Sequence, residues 1–161
     1  MQVNIYIGVG SANTRKAKRL YGYVLECVRG RVPETKCGFG EVEETYNGAS
    51  LKAINEAMGR MTRPCEIHIH TENIYITNMI ETCLETWAGN GFRTSKGRPV
   101  KSQEEWECFW TLSDPHLIVA EPGQHTYSKW IQSEIRRREE EKSERGADVS
   151  EAGEEKEEEE A

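Results

Sequence analysis

The chain reads as an α/β domain of three layers: a five-stranded mixed sheet flanked by helices, in the order βββαβααβα. Three observations predict this. Runs of β-branched and aromatic residues, separated by turn residues, fill the first 45 positions. Apolar residues then recur at helical spacing from residue 47, and short apolar strands alternate with helical stretches to residue 138.

Taken in order, "VNIYIGV" (3–9), "YGYVLECV" (21–28) and "KCGFGEVEET" (36–45) carry the strand signature, and their spacing predicts an antiparallel meander. "NGASLKAINEAMGRM" (47–61) puts Leu51, Ile54, Ala57, Met58 and Met61 on one helical face, and Pro64 ends it. "CEIHIHT" (65–71) is a strand that delivers the carboxylate of Glu72 to its C-terminal tip. A helix over 73–87, another over 104–112, a fifth strand over 116–121 and a last helix over 127–138 complete the order.

At 161 residues and 36% apolar, the chain holds one ordinary core. No apolar run approaches the ~20 residues that span a bilayer, and the N-terminal stretch lacks the pattern of a secretory signal. The expectation is a soluble, cytoplasmic protein with no membrane partner. Its five cysteines are odd in number and include no Cys-x-x-Cys pair, a pattern of reduced, buried thiols rather than of disulfides or zinc. The net charge of −7 is unevenly spread: residues 139–161 hold 12 acids against 3 bases, leaving 18 bases and 16 acids in residues 1–138. The reading is a folded domain over 1–138 and a disordered acidic tail over 139–161, too poor in apolar residues to order itself beyond a short helical extension.

The segment "WAGNGFRTSKGRPVKSQEEWECF" (87–109) combines a helix ending in Trp87, the pair Gly91 and Phe92, Thr94, the run from Arg98 to Ser102, and Trp106. Together with "IYI" (5–7), "YGYVLE" (21–26), "TYN" before the first helix, "HTEN" and "QH" (124–125), it resembles the type 1 ribonuclease H family over residues 3–135. The resemblance implies an RNase H-like fold and, in the family, cleavage of the RNA strand of an RNA–DNA hybrid by two magnesium ions on four carboxylates. Hard cations take oxygen ligands, and paired ions clamp the attacking water and the leaving oxygen.

Glu72 corresponds to one of those carboxylates, but Gly8, Ser50 and Gln132 stand at the other three positions. What remains of the catalytic set is Glu72 and His125, which lies on the loop where the family keeps a mobile His. One exposed carboxylate does not hold two divalent cations, so the reading is a catalytically inactive homologue whose binding requires no cofactor. The alternative is a ribonuclease H with a rearranged metal site that uses Mg2+ or Mn2+ on Glu72, with His125 and Glu134 as neighbours; on a helix, Glu134 points about 200° from Gln132. His68, His70 and Glu72 share one side of their strand, but His68 and Glu72 are roughly 13 Å apart at ~3.3 Å per residue, too far for one ion. His68 and His70 are therefore expected to be hydrogen-bonded residues beneath a helix packed on the sheet.

Binding features survive better. Arg15, Lys16, Lys18 and Arg19 lie in the first interstrand loop with no acid among them, the electrostatic footprint of a phosphate backbone. Thr94, Lys96, Arg98 and Lys101, with Arg93, match the part of the family that grips the DNA strand; the interleaved Trp87, Phe92 and Trp106 read as core. Asn47 keeps the family position that reads the minor groove, where hydroxyls mark RNA. The expected partner is an RNA–DNA hybrid or duplex RNA. A third reading, a protein-interaction scaffold with a protein partner, follows from the lost acids together with the tail.

Overall fold

The computed structural model describes the backbone of residues 1–160 and the side chains of residues 1–146. Its sheet is built from β1 (Gln2–Val9), β2 (Ala17–Val28), β3 (Glu34–Glu44), β4 (Glu66–Thr71) and β5 (Leu117–Pro122), in the order β3-β2-β1-β4-β5. The first three strands form the antiparallel meander, with Gly8 opposite Gly22 and Gly22 opposite Phe39. β4 and then β5 add in parallel to the other side of β1, which makes the sheet mixed, as the sequence predicts.

Alternation along β1 sends Val3, Ile5, Ile7 and Val9 to the face covered by α1 (Tyr46–Met58), α2 (Ile74–Thr82), α3 (Leu84–Gly89) and α4 (Gln103–Ser113). There Ile67, Ile69, Leu51, Ile54, Trp106 and Phe109 complete the main core, each buried side chain contributing roughly 1.5–3 kcal/mol. On the other face Tyr6 and Val24 meet Ile131 and Ile135 of α5 (Ser128–Glu160), the third layer. Thr45 starts α1 by accepting the Gly48 N–H at 3.1 Å.

Two expectations are corrected. The single helix over 73–87 is two helices that meet at Cys83, whose φ of −121° leaves the helical basin. Neither Gly nor Pro marks the break; Thr82 donates its hydroxyl back to the Asn78 carbonyl at 2.6 Å, an interaction that bends helices. The last helix, in turn, does not stop at 138. Arg137 is braced by Glu134 at 2.7 Å and Glu141 at 3.0 Å, and Lys142 reaches across to Glu41 of β3, so the helix runs on into the acidic segment, through and past the short extension expected there. The rest of the tail expectation falls on side chains outside the described residues.

All five cysteines are free; Cys65 is buried as expected, whereas Cys37 and Cys108 are exposed. No helix among the described residues is long and apolar enough to cross a membrane.

Candidate functional site

The C-terminal ends of β1 and β4 meet the first turns of α1 and α5, and this junction brings Gly8, Ser50, Glu72 and Gln132 around one pocket. Its volume is about 10 Å³, room for about one water. The space is taken from the α5 side: a Cβ on Gly8 would lie 2.6 Å from Cγ2 of Ile131, a fully buried side chain. Ser50 donates its hydroxyl to the Tyr46 carbonyl at 2.8 Å and accepts from the Asn73 amide at 3.1 Å. Gln132 donates to the Val9 carbonyl at 3.1 Å. Glu72 alone among the four is charged, and it is exposed.

A pair of divalent ions does not fit these residues. The ions need several carboxylate oxygens in one cavity, and here two of the four side chains are neutral and already bonded to the protein, while the third position has no side chain at all. No three His, Cys, Asp or Glu side chains converge to hold a metal among the described residues.

His125 lies beside this pocket and is pinned. Its Nε2 donates to the Ile7 carbonyl at 2.8 Å, and its Nδ1 accepts the Tyr127 N–H at 3.2 Å, which selects one neutral tautomer. Burial lowers its pKa, against the opposing pull of the Ile7 carbonyl and of Glu72. Burial, helped by Glu72, raises the pKa of Tyr46 across the pocket. Glu134 is bound to Arg137 on α5 and does not line the pocket.

The loop after β1 is closed by the Gly10 N–H, which donates to the Leu20 carbonyl at 2.8 Å. Within it the Asn13 side chain accepts the Arg15 N–H at 3.0 Å, an Asx turn. Arg19, expected at a phosphate, is instead 3% exposed and points into the fold. Its guanidinium donates to the carbonyls of Glu44 (2.9 Å), Ser11 (2.5 Å), Asn13 (2.8 Å) and Arg15, and to the Asn13 side chain (2.8 Å). With all three of its guanidinium nitrogens bonded to the protein, Arg19 anchors the loop from inside the fold. Arg15, Lys16 and Lys18 are exposed and make no ion pair among the described residues.

A groove of about 410 Å³ runs from this loop between α1, α2 and α4, bordered by Thr14, Thr45, Asn47, Tyr75, Lys101 and Trp106. Tyr46 borders both the groove and the small pocket. Asn47 and Lys101 are thus brought together as expected, and Asn47 uses its carbonyl to accept from Asn73 at 2.9 Å. Thr94, Lys96 and Arg98 do not line the groove; they form a separate turn in which the Thr94 N–H donates to the Arg98 carbonyl at 2.7 Å. Sequence reasoning missed Tyr75 and Glu105, which share the groove wall with Thr14 and Glu44. Polar and aromatic residues at helix starts were the available signal. The aromatics behave as read: Trp106 is 1% exposed, with Trp87 edge-on at 5.5 Å, and Phe92 is buried.

α5 packs over β1, β2 and Phe39 of β3, so His68 and His70 of β4 lie beside that helix rather than beneath it, though both are hydrogen-bonded as expected. His70 meets Asn4 at 3.0 Å and stacks on Tyr6, with ring centres 4.4 Å apart. His68 bridges Glu66 at 3.0 Å and Glu121 of β5 at 3.1 Å; the bond to Glu66, followed by that to Glu121, raises its pKa, against burial. A raised folded pKa means that the bridge contributes its full stability below the unfolded value near 6.5 and loses it as pH rises through the folded pKa. Burial lowers His70 and His125, so their contributions run the opposite way, being lost as pH falls. The stability difference between wild type and His68→Gln isolates the bridge. In urea titrations it is expected to be largest below pH 6 and to shrink as pH rises; a pH-independent difference would contradict the bridge.

Comparison with known proteins places this geometry. The sequence pattern of the family described as RNase H matches residues 2–121. The ribonuclease H of Janthinobacterium sp. (strain Marseille) is 34% identical over 79 residues, 49% of this chain and 55% of that protein. The ribonuclease H of Actinobacillus succinogenes is 35% identical over 79 residues, 49% of this chain and 51% of that protein. The chain spans about half the length of the curated relatives it matches. Among solved structures, LC9-RNase H1, a type 1 RNase H with the type 2 active-site motif, superposes with a TM-score of 0.67 at 15% identity, over 84% of this chain and 69% of that one. The foamy viral protease-reverse transcriptase in complex with an RNA/DNA hybrid gives 0.55 at 20% identity, over 75% of this chain and 17% of that one. At such identities the structures establish the fold. The sequence match runs from the first residue of β1 into β5 and takes in Gly8, Ser50 and Glu72, and by that match the chain is a member of the RNase H family.

Proposed function

We propose that this chain grips RNA–DNA hybrid or duplex RNA through Arg15, Lys16 and Lys18, at the turn into β2, and the adjoining groove, and that it does not cleave the strand it holds. One observation carries the reading: the pocket of four converging positions is closed by Ile131 and keeps a single acid, while exposed Arg15, Lys16 and Lys18, in no ion pair among the described residues, follow Thr14 of the adjoining groove in the chain. An acid cluster repels phosphate unless metal ions mediate; with a single acid left, the cations meet the backbone directly, by counterion release, and binding requires no cofactor. Asn47 and Thr14 offer the polar contacts that hydroxyl-bearing grooves reward. The relatives named ribonuclease H, and a structural neighbour solved with an RNA/DNA hybrid, support the ligand class.

The test is a gel assay on a labelled hybrid at low salt, with magnesium and then manganese, scoring shift and cleavage together. The expected result is a shift without cleavage. Replacing Arg15, Lys16 and Lys18 by Gln is expected to weaken binding and to flatten the slope of log K against log salt by about 2 to 3. Cleavage that disappears in Glu72→Gln would establish the rearranged metal site instead, and no shift at low salt would leave the protein-interaction scaffold.

A further inference from the structure

At the opposite end of the sheet, where β1 begins and β2 ends, lies another pocket, of about 240 Å³. Val3, in its floor, and Gly8 are five residues apart on β1, roughly 17 Å at ~3.3 Å per residue. The pocket is therefore separate from the hybrid-binding surface. Arg29 after β2, Lys36 of β3, and Arg60 and Arg63 after α1 form its rim, all exposed. Its floor is apolar: Val3 and Leu25 are buried and Met61 half-buried.

None of these four cations makes an ion pair among the described residues, and the one acid on the rim, Glu34, pairs with none of them. The negative C-terminal end of α1 accounts for Arg60 and Arg63, but not for Arg29 and Lys36, which arrive from other elements. Arg60 is also preset: it donates to the Tyr23 hydroxyl at 3.2 Å and to the Cys37 carbonyl at 3.5 Å, with its guanidinium 6.0 Å from the Tyr23 ring centre. Like charges held around one small pocket repel until an anion fills it. A carboxylate brings one charge, whereas a phosphate monoester brings nearly two and offers three acceptor oxygens to guanidinium forks. Bare phosphate would leave the apolar floor uncovered.

We infer that this pocket binds a phosphate monoester carried on an apolar-faced body, of the nucleoside monophosphate class. The volume lies just below the usual range of ligand pockets, roughly 300–1,000 Å³, which leaves room for one nucleotide at most, partly exposed. A free nucleotide and the phosphorylated 5′ end of a strand share this chemistry.

The experiment is isothermal titration of the full chain with adenosine monophosphate, adenosine and inorganic phosphate, with amide chemical shifts locating the site. Adenosine monophosphate is expected to bind one to one with Kd of about 10–100 µM, shifting residues 61–65, and adenosine and phosphate at least tenfold more weakly. The double variant Lys36→Glu, Arg63→Glu is expected to lose at least tenfold in affinity while keeping its unfolding temperature and its gel shift on the hybrid. A 5′-phosphorylated dinucleotide that binds more tightly than the monophosphate assigns a strand end; one that does not assigns the free nucleotide. Absent or unsaturable binding, binding unchanged in the double variant, phosphate alone binding as tightly, or shifts confined to residues 13–18 would each overturn the assignment. Hybrid binding is read separately, so its failure and the failure of this site are distinguishable.

Discussion

Gly8→Asp, which returns an acid to the end of β1, is expected to destabilise the protein by about 3 kcal/mol or more without creating nuclease activity. The new Cβ would stand 2.6 Å from Cγ2 of Ile131 and 3.2 Å from its Cβ. A β-branched side chain that is fully buried has no flexible end to swing away, so α5 itself must lift. Overpacking of this kind costs about 1–3 kcal/mol, and a carboxylate in a pocket with room for one water adds its desolvation. Melting is expected to fall by about 10 °C. Ile131→Ala alone leaves a cavity and costs about 2–5 kcal/mol. In the double variant the two losses should not add, because each change relieves the strain of the other. Calorimetry of the four proteins decides it: an undisturbed Gly8→Asp protein, or strict additivity, would mean that α5 does not close the pocket.

Arg19→Met is expected to lose about 2–4 kcal/mol, since buried carbonyls keep their desolvation penalty when a charged donor is withdrawn. The larger effect is local. Amides of the 11–16 loop should exchange faster with solvent, and affinity for the hybrid should fall several-fold although Arg19 makes no phosphate contact. Arg19→Lys should restore only part of either, because one ammonium cannot reach the carbonyls of Glu44, Ser11, Asn13 and Arg15 together. Loop exchange rates equal to wild type in Arg19→Met would remove the anchor from the account.

The role of Arg19 was illegible in the sequence for a physical reason. Lys18 and Arg19 look like loop, and the apolar run begins near Tyr21, yet β2 starts at Ala17 and Arg19 already pairs with Val42. Once inside a strand, neighbours face opposite ways, so Lys18 is exposed and Arg19 buried. Runs of β-branched and aromatic residues did make the five strands readable, and helical spacing did the same for α1. The break at Cys83 was not, because neither Gly nor Pro marks it. Convergence of Gly8, Ser50, Glu72 and Gln132 followed from the family resemblance. That the site is filled, and not merely stripped of acids, depended on how closely α5 approaches β1, a tertiary distance that no local pattern encodes. Similarly, His125 could be placed on its loop, but its two bonds, to Ile7 and Tyr127, depend on how that loop meets β1.

The grip of Arg19 has an evolutionary side. Four of the five groups it holds are main-chain carbonyls, and only one, on Asn13, belongs to a side chain. The loop is thus shaped by atoms that every amino acid possesses. Exposed positions such as Arg15 and Lys16 can be exchanged, and their charge raised, lowered or reversed, with the turn left standing. Such a hairpin is an interchangeable socket: the charge it presents to solvent can drift quickly in descendants while the domain beneath it folds as before.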